Sequence, residues 1–312
     1  MNRGDHREPI FRDDVDRHCF LDTLGEACRK TAWQIHAFCL MGNHFHLVVE
    51  TPQGNRVAGM KWLLGVYTSR FNRRHKLFGH LFSRRYKALL VDGSGTGYLK
   101  TVCDYVHLNP ARAGLIAPEA PLTAYVWSSY PHYLQPPERR PPWLRTNRLL
   151  AEWRIPQDSE AGRREFAGVM ELRRASGLDE EFKPVQRGWC LGSEAFRAEL
   201  LAQVSERQGA WHYGAELLES AVAKAERLLG AELARLGWTE ADLAGRRKGD
   251  RVKLKLAAML RTETTMTLEW IANRLGMGTR GHLTHLLYHQ GRASNAVAPQ
   301  SELWPEHDIT ID

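Results

Sequence analysis

The 312-residue chain has few cysteines, and none is placed to build a scaffold. The five, Cys19, Cys28, Cys39, Cys103 and Cys190, contain no Cys-x-x-Cys pair and are odd in number. This argues against a zinc ribbon and a disulfide framework, and fits a reducing cytoplasm. No apolar run approaches the roughly 18–20 residues that cross a bilayer. The opening MNRGDHREPIFRDD has no signal-peptide core, so a cytoplasmic protein with no membrane partner is expected. There is no internal repeat, and alternating strand patterns are lacking after about Tyr133.

With 43% apolar and 25% charged residues the chain can bury a sizeable core, and its length sets a prior of two domains. The net charge of +7 is unevenly spread: +9 over residues 1–148, −5 over 149–245 and +3 over 246–312. Residues 56–112 are nearly without acid, with only Asp92 and Asp104 against 11 basic side chains. One charge run is usually a solvated face; two basic regions, each beside a candidate motif, favour a nucleic-acid partner.

Apolar spacing predicts a helix over 12–31, strands over 32–41 and 43–51 joined at Gly42-Asn43 as a hairpin, and a helix over 55–75. A strand over 86–92 and a helix from Tyr98, stopped at Asn109-Pro110, complete an α+β pattern with a mostly antiparallel sheet. Residues 136–148 read as a Pro/Arg-rich linker, 149–245 as a helical spacer, 246–292 as a helix-turn-helix-like region and 293–312 as a tail.

Within the hairpin, His44 and His46 alternate with Phe45, Leu47 and Val49, so both imidazoles leave the same face, roughly 6.5–7 Å apart at the backbone. Two histidines can share a divalent ion and leave positions open for phosphate oxygens. The plain alternative is a pair of polar residues on an exposed strand face. On the helix beginning at Tyr98, Tyr105 and Asn109 stand one turn apart on one stripe. A tyrosine oxygen can attack phosphorus, and an asparagine amide oxygen can join a metal. Equally, tyrosine beside an apolar face is often half-buried core, and asparagine before proline a common helix stop.

The stretches MGNHFHLVVETP (41–52), GMKWLLGVYTSRFNRRHKLFGHLFSRRYKALLVD (59–92), YLKTVCDYVHLNPARAGL (98–115) and WSSYPHYL (127–134) resemble the REP-associated tyrosine transposases, the single-tyrosine branch of the HUH superfamily. The resemblance implies a ferredoxin-like HUH sheet with helices on one face, and a Mg²⁺ or Mn²⁺ ion held by His44, His46 and Asn109. It further implies Tyr105 as the nucleophile and single-stranded, hairpin-forming repeat DNA as the substrate. A homodimer is among the implied assemblies, with Tyr105 acting in its own subunit or across it. In that family an N-terminal strand precedes an Asn-Arg-Gly segment; here the segment is Asn2-Arg3-Gly4, so the first strand is expected to be missing.

Between the histidine strand and the tyrosine helix lie Arg70, Arg73, Arg74, Lys76, Arg84, Arg85 and Lys87, interleaved with Phe71, Phe78, Phe82 and Tyr86. Cations with aromatics suit a single-stranded DNA surface, although at least half of such aromatics are expected in the core. Further on, residues 267–287 show two apolar helix faces around Gly276-Met277-Gly278, with Arg280, His282 and Thr284 outward, preceded by basic residues including Lys253. The leading expectation is thus a metal-dependent DNA strand transferase. A non-catalytic relative that binds repeat hairpins, or an RNA-binding factor, would use similar surfaces without needing the histidine–tyrosine set.

Overall fold

The computed structural model describes residues 1–83, 85–94, 97–176, 179–207 and 215–295. Its contacts divide the chain into two units, Met1–Ser220 and Ala221–Asp312. In the first, β1 (Asn2–Arg3) is followed by α1 (Asp14–Thr31), then by the hairpin of β2 (Gln34–Met41) and β3 (His44–Glu50), and by α2 (Arg56–His75). The Asp13 carboxylate caps α1 by accepting from the Asp16 amide at 3.0 Å. The hairpin register sets Met41 opposite His44 and Cys39 opposite His46. Gly59 lets α2 lie on Trp33, since a Cβ there would fall 2.1 Å from the indole.

Asn2 and Arg3, of the Asn-Arg-Gly segment itself, pair antiparallel with Phe45 and His44. Leu81, Ser83 and Lys87 lie along the other side of β1: the Asp5 amide donates to the Leu81 carbonyl, the Ser83 amide to that of Arg3 and the Lys87 amide to that of Met1.

The helices cover both faces of the sheet rather than one. Phe45 meets Phe20 of α1, with ring centroids 4.8 Å apart. On the opposite face, His46 meets α3 (Tyr98–Arg112). Seven of the eight residues of β2 are accordingly buried. α3 also runs through Pro110 to Arg112, because a proline in the last turn breaks only one backbone bond.

The strand expected over 86–92 is reduced to β4 (Leu90–Val91), and α4 (Tyr130–Tyr133), α5 (Asn147–Glu152), α6 (Glu160–Ala175) and α7 (Asp179–Arg187) follow. β4 pairs in parallel with β5 (Cys190–Leu191), a strand the helical reading of this region did not include. α8 (Glu194–Arg207) comes next. The proline-rich stretch is packed rather than loose. Ile35 exchanges backbone hydrogen bonds with Trp143 and Arg145, at 3.3 and 2.8 Å. Arg140 is held by Asp158 at 2.9 Å. The first unit runs on to Ser220.

α9 (Ala215–Leu236) enters the second unit, which continues with α10 (Glu240–Gly245), α11 (Arg251–Glu263), α12 (Leu268–Arg274) and α13 (Arg280–Asn295). Leu229, Leu256, Ile271, Leu275 and Leu283 form its core. Gly276 and Gly278 take the positive φ that the α12–α13 turn requires. Lys253, one of the basic residues that precede the turn motif in the sequence, is fully buried, its ammonium donating to the Arg246 carbonyl at 3.0 Å.

Candidate catalytic site

His44 and His46 leave β3 toward α3 with ring centroids 5.1 Å apart. His44 Nδ1 lies 2.7 Å from the Asn43 side-chain oxygen, so in the tautomer that donates this bond its Nε2 keeps a free lone pair. His46 Nε2 lies 3.4 Å from the Asn109 amide nitrogen, and its ring is 5.6 Å from that of Tyr105. Burial above all, reinforced by the charge of Arg3, pushes His44 down to about 4 and His46 well below its ordinary value. Both imidazoles are thus neutral at pH 7, the form that ligates metals.

His44 and His46 could hold a divalent ion through their imidazole nitrogens. Among the described residues no three His, Cys, Asp or Glu side chains converge, so a third protein donor must be of another kind. Asn109 is that neighbour, and a half-turn of its amide exchanges nitrogen for oxygen beside His46. Glu50 is occupied elsewhere, accepting from His36 at 3.0 Å and Arg148 at 2.9 Å.

These groups line one pocket of about 250 Å³, together with Arg3, Arg112 and Gln186. Arg112 stacks on Tyr105 at 5.2 Å from the ring centre, and on Phe182 at 5.1 Å. Arg3 Nε is buried without a hydrogen-bond partner. Behind Tyr105, the buried Asp104 is 2.7 Å from Arg173, which also reaches Glu181 of α7 at 2.7 Å. Burial raises Asp104 to about 7 against the pull of Arg173.

Residues 1–109 match the family model described as transposase IS200 like. Over this span the chain is similar to the IS200-like transposases. The search of curated proteins and that of solved structures gave no match. The transposase match ends at Asn109, so Arg112 and Gln186 reach the pocket from beyond it, and Phe182 packs on Tyr105 from beyond it too.

The expected DNA contacts separate into groups. Arg70 is tied to Glu26 at 2.7 Å and Thr23 at 2.7 Å, and Arg74 to Asp13 and Asp16 at 2.6 Å each. These two hold α1 against α2. Arg73, Lys76 and Arg85 are exposed. Lys87 is exposed too, but its ammonium donates to the Gln186 carbonyl. Arg84 lies outside the described residues. Arg280, His282 and Thr284 are exposed on α13 of the other unit, where the Thr284 hydroxyl donates to the Arg280 carbonyl at 2.8 Å.

Sequence reasoning passed over Arg3, Arg112, Phe182 and Gln186. Arg112 was findable, because seven residues after Tyr105 is two helical turns on the same face; ending the helix at Asn109-Pro110 hid it. Phe182 and Gln186 carry no local signal.

Proposed function

We propose that the chain cleaves and rejoins single-stranded, hairpin-forming DNA through a 5′-phosphotyrosine. The reading rests on one observation above others: His46 touches both the Asn109 amide and the Tyr105 ring, inside a pocket that also receives Arg3 and Arg112. His44, His46 and Asn109 would hold a Mg²⁺ or Mn²⁺ ion, which when bound supplies Lewis-acid polarisation of the phosphate. Arg3 and Arg112 neutralise the phosphate charge and fix its orientation. The Tyr105 oxygen bonds to phosphorus as its proton passes to water. The bond to O3′ breaks, and that oxygen leaves with the electron pair and takes up a proton. Attack by a 3′ hydroxyl on the phosphotyrosine reverses the sequence and joins strands.

The second unit is read as an appended DNA contact, with α12 and α13 as a helix-turn-helix and Arg280, His282 and Thr284 directed at the groove. The test of the catalytic reading is incubation of the full chain with a single-stranded hairpin oligonucleotide and Mn²⁺. A covalent adduct absent in Tyr105→Phe supports it. Binding without any adduct favours a non-catalytic hairpin-binding relative.

A further inference from the structure

Phe71 is core, while Phe82 and Tyr86 pack against it partly buried; Phe78 alone of that interleaved group stands in solvent, 99% exposed. This exposure is built rather than frayed. Lys76 ends α2 in the left-handed conformation, and the Leu77 amide donates back to the Asn72 carbonyl at 2.9 Å. The Asn72 side chain donates to the Gly79 carbonyl at 3.0 Å, and Gly79 itself takes φ +90°. The turn is therefore pinned on both sides of the aromatic ring it displays.

The sequence from Arg70 to Lys87 contains no acidic residue. Arg73, Lys76 and Arg85 are exposed and form no ion pair among the described residues, and His80 is exposed as well. An apolar ring with uncommitted cations matches a ligand that is flat and aromatic yet polyanionic, which describes an unpaired nucleobase on its phosphate backbone. The loop also leads to the pocket. From Leu81 the chain runs beside β1, the strand that carries Arg3 next to His44. Phe78 lies only three residues before Leu81, no more than about 10 Å of extended chain. One strand of DNA could thus meet both places.

We propose that Phe78 is a stacking site for an unpaired base of the DNA strand whose phosphate enters the pocket, with Arg73 and Lys76 holding the adjoining phosphates. The proposal rests on the DNA-cleaving reading above for its ligand, and its test is kept separate by measuring binding without metal. The full chain is titrated, in EDTA, into a fluorescein-labelled mixed-sequence single strand and into the blunt duplex made from it.

Phe78→Ala is expected to weaken the single strand on the order of 5- to 150-fold, the loss when one base–aromatic stack is removed, and to leave the duplex unchanged. Phe78→Tyr should bind as the wild type does. An unaltered melting temperature, expected for so exposed a side chain, shows that the fold is intact. Equal single-strand affinities for wild type and Phe78→Ala overturn the stacking site while leaving the catalytic reading standing. So does equal weakening of single strand and duplex. A change confined to oligomeric state in Phe78→Ala would mark the ring as a contact between copies and likewise overturn it. Wild type that binds no single strand overturns the stacking site and leaves the catalytic reading to the adduct assay.

Discussion

The Phe182 ring stands edge-on to Tyr105, with centroids 5.5 Å apart and planes at 77°. Phe182 is fully buried, and the Arg112 guanidinium lies over both rings. The residue assigned as nucleophile is thus held by α7, some 75 residues downstream in sequence and outside the matched transposase span. Edge-to-face pairs contribute about 0.5–1.5 kcal/mol beyond area burial, enough to select one tyrosine rotamer.

Phe182→Ala should therefore lower the rate of adduct formation more than it lowers hairpin affinity. It should also cost about 3–5 kcal/mol of stability, as phenylalanine-to-alanine changes in cores do. Phe182→Leu, which keeps most of the volume, should recover stability but only part of the rate. Chemical denaturation alongside single-turnover kinetics checks both; equal rates in Phe182→Leu and wild type would show that packing alone matters.

Arg3 has a buried Nε without a partner in a pocket lined by the two histidines. Arg3→Ala should slow adduct formation by about 10²–10³-fold, the usual effect of removing one preorganised donor to a developing anion. Arg3→Lys should restore little, because a single ammonium cannot reproduce the guanidinium fork. A small effect would move the anion-binding role to Arg112.

His44→Ala, His46→Ala and chelation by EDTA should each abolish adduct formation while leaving single-strand binding in place. Asn109→Ala should raise the Mn²⁺ concentration needed for half-maximal rate by about 10- to 100-fold. The readout is a metal titration of adduct yield. Retained adduct in EDTA would remove the ion from the mechanism.

Arg74 clamps Asp13 and Asp16, and its hydrogen bonds hold Asp13 down to about 2. A depressed carboxylate contributes stability above its unfolded value of about 3.9, and that contribution fades as pH falls toward 2. Arg74→Met should thus be less stable than wild type at pH 7. The gap should narrow between about pH 4 and pH 2, as followed by thermal melts. DNA affinity should change little, in contrast to Arg73→Ala.

Local pattern made much of this legible. Period-two alternation placed His44 and His46 on one strand face, and helical spacing placed Tyr105 one turn before Asn109, because both rules depend only on backbone geometry within a few residues. Charge counting found the basic stretch from Arg70 to Lys87 but could not sort it. Arg70 and Arg74 differ from Arg73 only in having carboxylates of α1 opposite them.

What the sequence by itself determined is the set of chemical groups and the elements that carry them: the histidine strand, the tyrosine helix, the hairpin register and the basic excess. Tertiary structure alone decided which groups meet. It paired β1 with His44, covered both sheet faces with helices, and brought Phe182 and Gln186 of α7 to Tyr105. It also left Phe78 outside the core that took Phe71. The reason is that long-range contacts follow from shape and burial across the whole chain, and side chains far apart in sequence share no local period that could announce their meeting.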